Sequence, residues 1–269
     1  MPLQRPGRPE LQPLRYERKP LKMTHLLNLR HVLGTTATLA LLAGAATGHE
    51  LTADTGNAEP AAFDIVAADI TTEGRTATFT MSVAGTPGGD SPDPAGALAG
   101  APVFSYVWPT TLDPSVVGFE AKAGILAFAV TIHPDFDDTP LFDETNSGTT
   151  GDDGGAWHSH WVVLGPDEAC GEGALKVIDI PEGATPPLPL TWPGLPILID
   201  SPGWSPVFDG PSLSVTVPFA DIGAVAEARF DGVTAALRVN ANVHAPLLCV
   251  TDVFDVASGD LSLPGQVGQ

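Results

Sequence analysis

Residues 76–83 alternate without a break: Ala77, Phe79, Met81 and Val83 are apolar, while Thr76, Thr78, Thr80 and Ser82 are polar. A strict period of two puts every apolar side chain on one face of an extended chain, the pattern of a strand buried on one side. It returns further along, where Leu213, Val215 and Val217 alternate with Ser212, Ser214 and Thr216. Nowhere does a long stretch carry apolar residues at helical spacing. The best short helix is 219–226, one or two turns.

The punctuation agrees. The chain has 29 Gly and 27 Pro, a composition of many turns between short strands. Besides 76–83, strands are expected at 63–70, 103–108, 124–133, 157–164, 175–180, 196–199, 212–218, 235–244 and 247–256. Thr71, Thr72, Glu73 and Gly74 make a hairpin-like link between the first two. Residues 87–102 form a Gly/Pro/Asp/Ala loop. Residues 183–193, with Pro186, Pro187, Pro189 and Pro193, read as an extended crossing loop. About ten short strands with regular turns predict an all-β fold, a two-sheet antiparallel β-sandwich in a single domain over 49–269.

The N-terminus reads as an address. Residues 1–22 are basic and proline-rich, and fit an over-long start or a disordered tail. A second pattern begins at Met23. A short polar start with Arg30 is followed by an apolar and small-residue run at 32–46, then by small residues suited to cleavage. Residues 23–48 thus have the layout of a secretory signal peptide. The run is too short and too rich in Gly and Thr for a good membrane span. The expectation is a periplasmic or extracellular protein with no integral span after cleavage.

The formal net charge is −20 over the whole chain, but seven of the twelve Lys and Arg precede His49, leaving five basic against thirty acidic residues beyond it. A surface this acidic repels nucleic acid and anionic lipid and attracts cations. Metal ions are therefore the expected partners, and nucleic acid is not. Cys170 and Cys249 are the two cysteines. Neither lies in a CxxC, and in an oxidising compartment they would pair.

Five histidines follow residue 48: His49, His133, His158, His160 and His244. His158 and His160 flank Ser159 on an expected strand, so both imidazoles share one face. His133 and His244 end strands of their own. Along 238–244, Arg238, Asn240, Asn242 and His244 share a polar face that needs water or a site. Imidazole suits zinc, copper, iron and nickel, and two His from one strand with one from each neighbour make a three- or four-nitrogen site. Hydrogen-bonded surface histidines without a metal are the plain alternative. Were the signal cut after Gly48, the amine and ring of His49 could also chelate copper.

The stretch from Asp143 to Gly154 is rich in oxygen donors and leads into the HxH strand. It resembles a calcium loop at Asp143, Thr145, Ser147 and Gly148, but Gly154 stands where an EF-hand needs a bidentate Glu. A looser calcium site from Asp135, Asp137, Asp138, Asp143, Asp152 or Asp153 stays open beside a merely solvated loop.

No GxSxG, HExxH, phosphate loop or complete dinucleotide fingerprint occurs. Ser159 would face away from its flanking histidines, which makes it a poor nucleophile. Trp108, Trp157, Trp161, Trp192 and Trp204 are expected as core and loop anchors, with a carbohydrate-binding surface as the alternative. The sequence therefore predicts a secreted metal-binding protein with His158, His160, His133 and His244 around zinc or copper and Asp152 and Asp153 beside them. Two other readings stand: a secreted metal-dependent enzyme using the same histidines with Asp152 or Asp153 as base, and a surface or adhesion module stiffened by calcium.

Overall fold

The computed structural model describes residues 50–240 and 246–269. The signal-peptide segment, His49 and His244 lie outside the described residues. Among the described residues fourteen strands run in the order β1 (Leu51–Thr52), β2 (Ile65–Glu73), β3 (Thr76–Val83), β4 (Pro102–Pro109), β5 (Ile125–Ile132), β6 (His158–Pro166) and β7 (Leu175–Val177), then β8 (Ile199–Asp200), β9 (Val207–Asp209), β10 (Ser212–Pro218), β11 (Arg229–Phe230), β12 (Val233–Val239), β13 (Leu248–Val256) and β14 (Gly265–Gln266). Among the described residues one α-helix, α1 (Ile222–Ala226), interrupts them, capped by the Asp221 carboxylate on the Gly223 and Ala224 amides. The chain is all-β, as the alternating patterns require.

One layer is a five-stranded sheet in the order β1-β2-β3-β10-β9. Its centre is the two most regular alternating segments, paired antiparallel so that Phe79 faces Val215 and Met81 faces Leu213 across the ladder. β2 and β3 form the expected hairpin, but residues 71–73 belong to β2 and pair with β3, so the turn is 74–75 rather than 71–74.

The second layer departs from the simple sandwich. Its strands run β5-β4-β12-β13-β7-β6-β8, and β5 also pairs with β6. That pairing closes β4, β5, β6, β7, β13 and β12 into a ring of six strands. Closure removes the free edges that an open sheet would leave. Register shifts in the β12–β13 ladder fall between Thr234 and Ala235 and between Ala236 and Leu237; extra residues of this kind bend a strand and help a sheet curl. Cys170 and Cys249 form the expected disulfide, tying the turn after β6 to β13.

Two apolar cores result. The first lies between the five-stranded sheet and the β4–β5–β6 wall of the barrel, and holds Phe63, Phe79, Trp108, Phe128, Trp161 and Phe219. The second fills the lumen with smaller residues, among them Ala127, Ala129, Val162, Ile199, Val233 and Ala235. Strands β5 and β6 serve both at once. In β6, Trp161 and Val163 face the first core, whereas Val162 and Leu164 face the lumen. This explains why both strands read as nearly continuous apolar runs rather than alternating ones.

Trp108 and Trp161 are fully buried. Trp157, Trp192 and Trp204 are half-buried. Trp157 packs on Tyr106 and Phe208. The tryptophans are thus anchors of core and loops.

Candidate metal centre

The pleat of β6 places His158 and His160 on its lumen-facing side, in line with Val162 and Leu164. Across the ladder His158 lies opposite Thr131 and His160 opposite Ala129 of β5. β5 ends at Ile132, so the next residue, His133, brings its ring to the same end of the barrel. The chain then turns through Pro134–Asp137, and Asp138 returns its carboxylate to the three rings.

The four side chains converge. His133, Asp138, His158 and His160 each offer a ligand atom within 4.8 Å of the others, and all four are buried. His133 Nε2 and His158 Nε2 are 2.9 Å apart. Asp138 Oδ1 stands 3.2 Å from His133 Nε2, 3.2 Å from His158 Nε2 and 3.3 Å from His160 Nε2. Ligand atoms bound to one ion at ~2.0–2.1 Å lie ~3.3 Å apart at the corners of a tetrahedron. The distances from Asp138 Oδ1 to the three imidazoles are compatible with a ligand shell.

The outer nitrogens explain how the rings are aimed. His133 Nδ1 donates to the Phe136 carbonyl at 2.9 Å. His158 Nδ1 donates to the Ala156 carbonyl at 2.8 Å. His160 Nδ1 reaches the Asp200 carbonyl at 3.3 Å and the Ser201 hydroxyl at 3.2 Å. A ring that donates from Nδ1 presents a bare lone pair at Nε2. Three such lone pairs, two of them almost touching, meet a carboxylate oxygen. One shared proton satisfies only part of this crowd. His160 Nε2, 3.3 Å from Asp138 Oδ1, makes no well-aligned hydrogen bond, and a buried polar atom without one is costly. A cation at the centre satisfies all four atoms together. Backbone carbonyls holding the far nitrogen are also the usual outer shell of a ligating histidine.

The electrostatics point the same way. Burial works against ionisation of Asp138, but His160, His133 and the contacts with His133 and His158 outweigh it and hold the carboxyl well below its usual range. Burial also disfavours charge on His158, yet Asp138 wins and raises its pKa. For His160 burial prevails and the pKa falls. The cluster thus favours an ionised Asp138 and disfavours charge on His160, while the same carboxylate favours charge on His158.

The surrounding loops are built to hold this geometry. The Phe136 ring lies flat on the His133 ring, centroids 4.0 Å apart and planes within 5°. The Asp137 carboxylate accepts from the Thr139 and Asp153 amides, joining the Asp138 turn to the loop before β6. Gly154 sits where that loop crosses the turn. A Cβ there would collide with the carbonyls of Phe136 and His133, so the crossing demands glycine.

Three of the four expected histidines, His133, His158 and His160, come together; His244 is outside the described residues. Asp152 and Asp153 stand apart from the cluster. The Asp153 carboxylate is buried and accepts from the Glu144 and Thr145 amides, and Asp152 accepts from the Ser147 hydroxyl. Asp143 likewise caps the Ser147 and Gly148 amides, and Asp135 caps those of Ala95 and Gly96. These carboxylates spend their lone pairs on loop amides or, for Asp152, on the Ser147 hydroxyl. The fourth member of the cluster is Asp138 instead. Its sequence signal was its position just beyond His133, but five other loop aspartates shared that acidic neighbourhood. Ser159 faces away as expected, and its hydroxyl donates to the Trp204 carbonyl at 2.6 Å.

Comparison with protein-family models, with curated proteins and with solved structures finds no match. The functional reading therefore rests on the site itself.

Proposed function

We propose that this chain is an exported metal-binding β-barrel protein whose His133, His158, His160 and Asp138 hold one transition-metal ion. The observation that carries the reading is the aim of the three rings. Each has its Nδ1 engaged outside the cluster and its Nε2 turned onto one oxygen of Asp138. Three imidazoles and one carboxylate suit zinc or copper. They do not suit calcium, which takes six to eight oxygen ligands. The disulfide supports passage through an oxidising compartment, and among the described residues no helix is long and apolar enough to cross a membrane.

The test is metal content of the purified, untagged protein by plasma mass spectrometry. About one zinc or copper per chain is expected in the native protein, and none in a His158→Ala/His160→Ala double variant that keeps its β-sheet circular dichroism. Equal metal content in both would overturn the assignment.

A second reading, a metal-dependent enzyme, draws on one further observation. His133, Asp138 and His160 border the hollow interior of the barrel, so a bound ion would have one side turned to a space that a molecule could enter. Four protein ligands leave room for a fifth where the ion accepts higher coordination. Turnover that disappears on chelation and returns with the metal would favour this reading.

A further inference from the structure

The barrel interior is not completely filled. A cavity of about 130 Å³ runs through the lumen and ends on His133, Asp138 and His160. Small side chains leave this space: Ala129 and Ala235 stand where larger aliphatics would fill it. The wall is almost wholly aliphatic. The exceptions are Ser105 on β4, whose hydroxyl is committed to the Ala235 carbonyl at 2.9 Å, and Thr131 on β5, whose hydroxyl lies 3.4 Å from His158 Nε2. Apart from the cluster's Asp138 and histidines, no charged residue among the described residues lines the cavity. Leu98 and Val253 line it too, and they are among the few large apolar side chains left exposed, at 40% and 50%. They mark a greasy mouth.

A dry aliphatic cavity of ~150 Å³ is large enough to take up a benzene-sized molecule. The polar end adds a second demand. A divalent ion among three neutral imidazoles and the Asp138 carboxylate keeps one uncompensated positive charge. The rest of the wall offers nothing to balance it, and an unbalanced buried charge is expensive. A ligand bringing one negative donor atom to the metal would cancel it.

We infer that the lumen receives the apolar body of a small monoanion, such as a short-chain or aromatic carboxylate, with its anionic group on the metal held by His133, His158, His160 and Asp138. This rests on the metal-binding reading above and adds the ligand class. The ligand is read by two features: hydrocarbon volume along the lumen and one negative charge at its end. Hydrophilic anions gain nothing from the wall, and long or bulky tails exceed the space.

The test is calorimetric titration of the metal-loaded protein with acetate, butyrate, hexanoate and decanoate, after its metal content has been measured. Each added methylene buried in the lumen should tighten binding about fourfold, which corresponds to ~0.8 kcal/mol per CH₂. Hexanoate should then bind roughly 200-fold tighter than acetate, with the gain ending near about six carbons, where a benzene-sized space is full. Hexanol, with the same tail and no charge, should bind more weakly than hexanoate. Ala235→Leu should cut hexanoate affinity at least tenfold at unchanged metal content. The series on the native protein decides even if that variant misfolds. Metal-loaded protein that binds acetate and hexanoate alike, or binds neither, overturns this inference and leaves the metal centre standing. A chain that carries no metal overturns both.

Discussion

The two cores of this protein are built from opposite materials. Between the five-stranded sheet and the barrel wall, large aromatic rings meet edge to face and tilted. Phe79 alone packs on Trp108, Phe128 and Trp161 with centroids 4.7–6.0 Å apart. Inside the barrel, Ala and Val dominate, a cavity remains, and four polar side chains crowd one end. The first region removes much apolar area from water and leaves no room. The second gives up packing to keep space and a buried polar cluster. Stability and chemistry are thus divided between the two faces of the same strands, β5 and β6.

The division can be broken or sharpened by experiment. The largest effect is expected at the ligands. A His158→Ala/His160→Ala double variant should go from about one metal per chain to none, measured by plasma mass spectrometry, while its metal-free stability changes far less than that of a core variant. Phe79→Ala should do the reverse. It removes a fully buried ring and should cost ~3–5 kcal/mol in denaturant unfolding, with metal stoichiometry unchanged in the protein that remains folded. Replacing Cys170 and Cys249 by serine opens a crosslink spanning 79 residues and should cost about 4 kcal/mol in the chain-entropy account. Ser201→Ala touches only the outer nitrogen of His160. It should weaken metal affinity about tenfold, the low end for partners behind the ligands, without a measurable change in melting. If Phe79→Ala emptied the metal site, or the histidine double variant unfolded the chain, the division would be false.

Acid gives a further handle. Protons and metal compete for the same nitrogen lone pairs. Among the ligands His158 has its pKa raised, because Asp138 outweighs burial, whereas burial lowers that of His160. Metal should therefore leave as the pH falls into the range where imidazoles take up protons. Asp153 has its pKa lowered, first by its contact with Thr145, so it stabilises the fold above the usual carboxylate range and loses that effect only in stronger acid. Dialysis at stepped pH should show metal release well before loss of circular dichroism.

Much of the fold was legible because the five-stranded sheet has one wet face. β3 and β10 alternate so cleanly that their ends were readable almost to the residue. β5 and β6 were harder, since burial on both faces erases the alternation that reports orientation. Ring closure left no local trace. It depends on β5 finding β6 across a loop of 25 residues, 133–157, and a period-two pattern does not name its partner. Of the expected polar face, Asn242 and His244 lie outside the described residues, and β12 starts at Val233, two residues before the expected 235. It ends at Val239, and Arg238 is exposed to water.

At the site, the shared face of His158 and His160 and the position of His133 could be read from strand geometry. Asp138 could not be singled out. It sits among acidic neighbours of the same chemical type, and only the folded turn reveals that Asp135, Asp137, Asp143, Asp152 and Asp153 are occupied by backbone amides or a hydroxyl. Gly154 was equally silent, because its requirement comes from a carbonyl crossing between two loops rather than from its own turn.

The pairing of β5 with β6 carries one more consequence. The four residues of the proposed metal centre sit on both sides of this seam: His158 and His160 on one strand, and His133 and Asp138 on the chain running out of the other. An ion bound there acts as a clasp. Unzipping the two strands from that end must first pull the coordination sphere apart, so the free energy of metal binding is added to the local cost of opening. Amide hydrogens of Thr131, His158 and His160 should then exchange with solvent far more slowly in loaded protein than in chelated protein. Those of β3 and β10, on the other layer, should barely notice.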